Sequence, residues 1–441
     1  MMLNPWIAMT IVMVILTTTI HILGQLKRNH NLNSELVRKI LHLVMGSVTL
    51  SFPWLFAEVW PVITLSIFAS IFISMVKISD LKEWKPVVCA KGRTSIGEIC
   101  FPIAVGILFM LAEGNKFLYL APVAILTFAD SASALIGVHF GKRKYSTVDG
   151  YKSTEGSLTF LIVAFFATLI TSMQFTDLNM ESVILLSSAV AIIAMLFESV
   201  AWNGLDNMSI PIGAYLAINT HMGLPVQTMQ ERLAFLLIMA ACVIRFKKRS
   251  TLNGSAVLGV VLYLYFAFIL GGFAWVLAPT LLYVSYRFLL PKRFRNLKSF
   301  HTIYGVIAVA AAGMIWLLIA NKHADPMYIF PYTLTFAAHA AIISIAHMRY
   351  NKFDRVRIRV LIFAVLKAWS IMCVPLVLLD PTPYMISLNL FLAPFAIGIP
   401  TFLFYSYNSA NFESLTKPKR WVKQASFASI GSVLGLIPLL I

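Results

Sequence analysis

The chain has 441 residues, 59% of them hydrophobic and only 12% charged, with a mean hydropathy of +0.83. Soluble domains are about 45–50% apolar and about 25% charged, so this composition excludes a water-soluble globular protein and predicts an all-α, polytopic membrane protein. A formal net charge of +17 would suit a nucleic-acid binder, but where the charges fall argues against that partner.

Four cysteines (Cys89, Cys100, Cys242, Cys373) lie far apart with no C-x-x-C spacing. That excludes a disulfide framework or a zinc site. The first apolar run has no basic residue before it and no small-residue cleavage pattern, so it is expected to stay as a first helix.

Apolar runs of about 17–25 residues mark membrane spans. Sixteen are expected: 5–24, 40–57, 61–78, 97–112, 117–138, 157–173, 182–200, 209–224, 230–246, 254–270, 272–290, 302–320, 327–347, 360–379, 385–405 and 424–441. The run 209–224 holds Pro211, Gly213, Asn219 and His221 and reads as a broken or re-entrant helix.

Basic residues collect in alternate loops: 25–39, 77–96, 139–156, 245–253, 287–301, 348–359 and 406–423. Of all lysines and arginines, only Lys116, Arg232, Lys322 and Lys367 fall elsewhere. The positive-inside rule puts these loops in the cytosol and the N-terminus outside. The charge is then explained without nucleic acid.

Acidic residues divide the chain. Glu98, Asp130, Glu155, Glu198 and Asp206 lie in or beside spans of the first 225 residues, whereas later acids lie in or next to loops. Hard cations such as Mg²⁺ need oxygen ligands, so chemistry is expected in 1–225 and a second membrane domain of unassigned role in 226–441.

In the stretch ELVRKILHLVMG, Arg38 and His42 share a helix face where a span leaves the cytosol. They suit phosphate or head-group contact, or a plain basic anchor. In KGRTSIGE, Arg93 precedes Glu98 at a helix start, as a local ion pair or as a phosphate cation beside a metal or structural carboxylate. The stretch from Ile125 to Thr159 carries Asp130 inside an apolar run with no basic residue in the same span. Such a carboxylate costs about 2.5–3.5 kcal/mol on insertion scales and marks function by default. The polar loop after it holds Lys142, Arg143, Lys152 and Glu155; GVHFGKRKY is not a P-loop in spacing or final residue. Ser153 or Thr154 is the expected N-cap of the next helix. In FESVAWNGLDNMSIP, Glu198, Asp206 and Asn207 offer oxygen ligands, or form a plain Gly-Asp-Asn turn.

RKILH at 38–42, RTSIGE at 93–98, FADSASALIGVHFGKRKY at 128–145, KSTEG at 152–156, and ES at 198–199 with GLDNMSIP at 204–211 together resemble the dolichol kinase and phytol kinase family. The resemblance covers about residues 35–225. It implies a CTP-dependent phosphorylation of the hydroxyl of a membrane isoprenoid alcohol. It also implies Mg²⁺ held by some of Asp130, Glu198, Asp206 and Asn207. Nucleotide contacts would come from Arg38, His42, Arg93, Lys142, Arg143, Lys152 and Glu155, and Asp130 or Asp206 would accept the alcohol proton. A CTP-dependent diacylglycerol kinase, a CDP-lipid cytidylyltransferase and a lipid transporter or flippase remain open readings. In the second half, TLNGSAVLG at 251–259 with Gly271 and Gly272 vaguely resembles phytyl-phosphate kinase relatives, without an acidic ligand set. The expected setting is a cell membrane or endoplasmic reticulum, with lipid as partner and the active site facing the cytosol.

The loop bias generates a direct test. Single cysteines placed beside Lys142 and beside Lys352 should both resist a membrane-impermeant thiol reagent in sealed cells and react after permeabilisation. Reaction of either from outside contradicts the orientation.

Overall fold

A computed structural model describes residues 4–30, 32–78, 84, 87, 95–247, 250–289, 301–350, 358–407 and 418–440. Its helices are α1 (Pro5–His30), α2 (Ser34–Leu50), α3 (Val59–Ile78), α4 (Gly97–Leu111), α5 (Lys116–Phe140), α6 (Thr154–Phe175), α7 (Met180–Val200), α8 (Asp206–His221), α9 (Val226–Phe246), α10 (Gly254–Gly271), α11 (Phe273–Leu289), α12 (Ile303–His323), α13 (Ile329–Tyr350), α14 (Ile358–Leu379), α15 (Pro383–Tyr407) and α16 (Pro418–Leu434). Apolar segments in hydrocarbon must satisfy their backbone groups internally, which the helix does. Helix starts are closed by side chains: Asn115, Ser153, Asn179 and Asn253 accept from the N–H groups of Leu118, Gly156, Ser182 and Ala256 at 2.8–3.2 Å.

Among the described residues, ten helices are long and apolar enough to cross a membrane, not sixteen. The other runs are helical but fall short. Helices α2, α4, α8, α11 and α16 have 15–17 residues. At ~1.5 Å per residue that is about 22–26 Å, less than the ~30 Å hydrocarbon thickness. Helix α9 is longer, but Gln227, Gln230, Glu231 and Arg232 make its first turns polar. Helix α8 runs unbroken through Pro211, which sits in its second turn, so the expected break at 209–224 is absent.

The chain forms two compact units, Met1–Ala234 and Phe235–Ile441, divided within α9. In the second unit α13 is central: its apolar stretch is fully buried, and α11, α12, α14, α15 and α16 pack around it.

In the first unit α5 and α7 are the inner spans, each with 61% of the apolar stretch buried, against 28% for α1 and 22% for α6. The inner helices are those that carry Asp130 and Glu198. Helix α2 lies antiparallel to α5. Tyr119 at the start of α5 donates to the Thr49 carbonyl at the end of α2, 2.9 Å. Midway, Gly46 meets Thr127 so closely that a Cβ on Gly46 would sit 2.2 Å from the Thr127 Oγ1. Among the described residues a small hairpin stands apart from the helices: β1 (Lys144–Ser146) pairs antiparallel with β2 (Tyr151–Ser153), with Tyr145 opposite Lys152.

The close approach predicts a suppressor pair. Gly46→Ala should lower stability in detergent by about 1–3 kcal/mol, the usual cost of overpacking. Thr127→Ala in the same chain should recover at least half of it. Thermal unfolding of the two single variants and the double variant checks this.

Candidate functional site

Asp130 stands directly after a π-helical turn, Ile125–Ala129, inside α5. Such wide turns cluster at functional positions because they shift side chains and disturb the carbonyl pattern. Here the Leu126 carbonyl accepts from His42 Nε2 at 3.1 Å, which puts the imidazole proton on Nε2. Lys39, one turn before His42, donates from Nζ to Asp130 Oδ2 at 2.7 Å. Both groups are buried, with Lys39 7% and Asp130 8% exposed. The Asp130 carboxylate therefore has a cation after all, supplied by α2 rather than by its own span. Lys39, His42 and Gly46 fall at helical spacing on one face. The face that meets α5 carries Lys39.

Two further carboxylates are held in the same way. Glu98, in the first turn of α4, accepts from Lys77 Nζ at 2.7 Å, and Lys77 also bonds the Ser95 carbonyl. The partner expected for Glu98, Arg93, lies outside the described residues. Glu198, at the end of α7, accepts from Lys152 Nζ at 2.7 Å, and Lys152 also reaches the Glu198 carbonyl. The hairpin register makes this possible: opposed residues on antiparallel strands share a face, so Tyr145 and Lys152 reach the α7 terminus together. The Tyr145 hydroxyl lies 2.8 Å from Ser157 Oγ and donates to Ser199 Oγ at 3.2 Å. Ser199 in turn donates to Glu198 Oε2 at 3.3 Å. Burial works against the Lys152 charge, but the carboxylates of Glu198 and Asp206 outweigh it and hold its pKa above the ordinary lysine value. Burial and the Glu198 charge push the Tyr145 phenol up.

Glycines bring the RTSIGE and GLDN stretches into contact. Gly204 has φ +82°, which favours glycine, and a Cβ there would lie 2.4 Å from the Gly97 nitrogen. Ile96 N–H donates to the Asn203 carbonyl at 3.1 Å, and Asn207 Nδ2 donates to the Gly97 carbonyl at 2.8 Å. Asp206 opens α8, in electrostatic reach of His42, Lys152 and Cys100. The structure thus gathers His42, Lys152, Glu198, Asp206 and Asn207 with Asp130, and adds Lys39, Lys77 and Tyr145. Lys142 and Arg143 are exposed ahead of β1. Glu155 is committed to the loop: both its oxygens accept from the Arg143 N–H at 3.2 Å.

Among the described residues, no three His, Cys, Asp or Glu side chains converge on one point as a metal cage. The expected set Asp130, Glu198, Asp206 and Asn207 is therefore not a closed ion site. Its donors still suit magnesium, which is usually held by one or two carboxylates together with substrate phosphates. Asn207 uses its Nδ2 on Gly97, and its amide oxygen remains as a donor beside Asp206.

The fold and this cluster define a multi-pass membrane protein with a charged site built from helix ends and one hairpin. No family model matches the chain, and no solved structure does. The chain is 26% identical over 218 residues to the phytol kinase of Synechocystis sp. (strain ATCC 27184 / PCC 6803 / Kazusa), a match covering 49% of this chain and 92% of that protein. Over about half its length the chain is therefore related to the phytol kinase and dolichol kinase family.

Reasoning from sequence placed Lys39 at helical spacing with Arg38 and His42 but assigned it no role in the site, so Lys39 left a signal. Lys77 left none, because a lysine ending a span reads as an anchor.

The Lys39–Asp130 pair predicts a mutant cycle. Asp130→Asn or Lys39→Met alone should destabilise the protein by about 3–5 kcal/mol, because each strands a buried charge. The double variant should regain most of that stability in detergent melts while remaining inactive. Additive losses would show that the two groups do not depend on each other.

Proposed function

We propose that this chain is a CTP-dependent kinase that phosphorylates the hydroxyl of a membrane isoprenoid alcohol of the phytol, polyprenol or dolichol type. One observation carries the reading. The four separate stretches that resemble this family are drawn into one buried charged cluster, in a chain related to a phytol kinase.

Phosphoryl transfer needs positioning and charge neutralisation more than covalent chemistry from the protein. Lys39, Lys77 and Lys152 each sit on a carboxylate and can turn toward phosphate oxygens, exchanging one anionic partner for another. Arg93, Lys142 and Arg143 would add contacts from the cytosolic loops, with Arg38 and His42 beside them on α2. Asp130, Asp206, Glu198 and Asn207 would hold Mg²⁺, which when bound neutralises the triphosphate. In the step itself the alcohol oxygen bonds to the γ-phosphorus, the bond to the β–γ bridging oxygen breaks, and CDP leaves. Asp206 suits the base that accepts the hydroxyl proton. Among the described residues it forms no ion pair with a lysine, whereas Asp130 and Glu198 each do.

Purified protein with CTP labelled in turn at the γ- and α-phosphates, magnesium and a panel of isoprenoid alcohols tests this by thin-layer chromatography. The expected products are a lipid monophosphate and CDP. Pyrophosphate with a CDP-lipid, formed when the lipid monophosphate is supplied in place of the alcohol, would instead identify a cytidylyltransferase, and no turnover with any acceptor would favour a transporter. Asp206→Asn should lower kcat by about 10²–10⁴-fold, the span expected for a general base. Lys152→Ala should chiefly raise the KM for CTP, since its phosphate contact exists in ground and transition states alike.

A further inference from the structure

The second unit holds a partly open pocket of about 80 Å³ that the charged site does not use. It runs from the loop ends of the helices toward their middles. Ser250, His301 and Trp421 stand at its outer end, next to the starts of α10, α12 and α16. Tyr263, Pro279 and Phe336 line it at mid-helix depth. From Tyr286 back to Pro279, or from Ile343 back to Phe336, is seven residues of helix, about 10 Å.

The walls are apolar and aromatic, and polar atoms gather at the outer end. There Tyr286 Oη and His301 Nε2 are hydrogen-bonded. His301 is fixed by its backbone, donating to the Thr251 carbonyl at 2.7 Å and accepting from the Asn253 N–H at 2.9 Å. The Trp421 wall is braced from behind. The Arg420 guanidinium lies 5.6 Å over its ring and within 3.2 Å of the Gln424 amide oxygen. Helices α10, α12 and α16 start at this end, which places it toward the helix termini, with the apolar end at mid-helix depth.

An apolar, aromatic-lined pocket with a few convergent polar groups is the usual form of a small-molecule site. We infer that this cavity is a second lipid site, independent of the kinase reading, which takes a single-chain lipid with an uncharged hydroxyl head. The chain lies against Tyr263, Pro279 and Phe336. The head meets the Tyr286–His301 pair, where a phenol that donates to imidazole keeps a lone pair for a hydroxyl donor. No lysine, arginine or carboxylate is among the described residues that line the pocket, which favours an alcohol over an anionic head.

Full-length protein in lipid nanodiscs, a diazirine-bearing long-chain primary alcohol and mass spectrometry of the photolabelled peptides test this. Labelling should concentrate on α10, α11 and α12 around the cavity, and excess unlabelled alcohol should suppress it. Ala310→Phe and Val309→Phe, which fill the space with apolar bulk, should each cut that labelling at least fivefold without lowering the melting temperature. Tyr286→Phe should raise the probe concentration for half-labelling several-fold, while Lys152→Ala, in the other unit, should leave it unchanged. Labelling spread over exposed residues such as Phe363 and Phe395, or undiminished in folded Ala310→Phe, would overturn the site. Stronger competition by the phosphate ester of the same alcohol would overturn the hydroxyl head.

Discussion

A carboxylate buried among apolar helices must be neutralised, and that constraint organises the first unit. Charges attract strongly in a low dielectric but are costly to place there singly. Asp130, Glu98 and Glu198 each meet the need with a lysine brought from another element: α2, the end of α3, and the β2 strand. Helix contacts that would otherwise be ordinary packing are thereby fixed in register. The Gly46–Thr127 approach lets α2 come near enough for Lys39 to reach, and the hairpin exists where Lys152 must turn inward. In the proposed reaction, function and folding draw on the same groups. A ligand that takes over a lysine must leave its carboxylate with another cation, and a metal-bound triphosphate can do both at once.

Much of this was legible in the sequence, for identifiable reasons. Apolar runs gave every helix its approximate place, since burial in lipid leaves the backbone no alternative. They overcounted spans, because a run of 15 apolar residues reads like one of 20 until its ends are known. Ser153 was legible as a cap because only local geometry is involved. Asp130 was legible as a costly charge, but its partner was not. Lys39 is 91 positions away, and nothing in either segment alone says that α2 crosses the π turn. The RTSIGE and GLDN stretches were recognisable by resemblance, while their joining through Gly97 and Gly204 depends on a backbone contact across more than a hundred residues. The hairpin was hidden because three-residue strands leave too little alternation to read.

The two units share composition but not chemistry. The first buries carboxylates, whereas the second buries aromatic rings, histidines and hydroxyls around α13, together with Arg420. A cavity with a neutral polar end suits that second environment and would be unstable in the first, where any guest would face lysines. About half of this chain has no counterpart in the cyanobacterial phytol kinase it matches.

The π turn before Asp130 carries a constraint of its own. A π turn holds one residue more than an α turn for the same advance of the chain. Loss of a single residue between Ile125 and Ala129 would let α5 relax to a regular helix. The flanks would keep their relative facing, because the wide turn had absorbed the extra residue. The Leu126 carbonyl would return to the helix ladder and leave the His42 Nε2–H without its acceptor, while hydropathy and helix content hardly changed. The length of this segment, and not only its composition, is therefore part of the site.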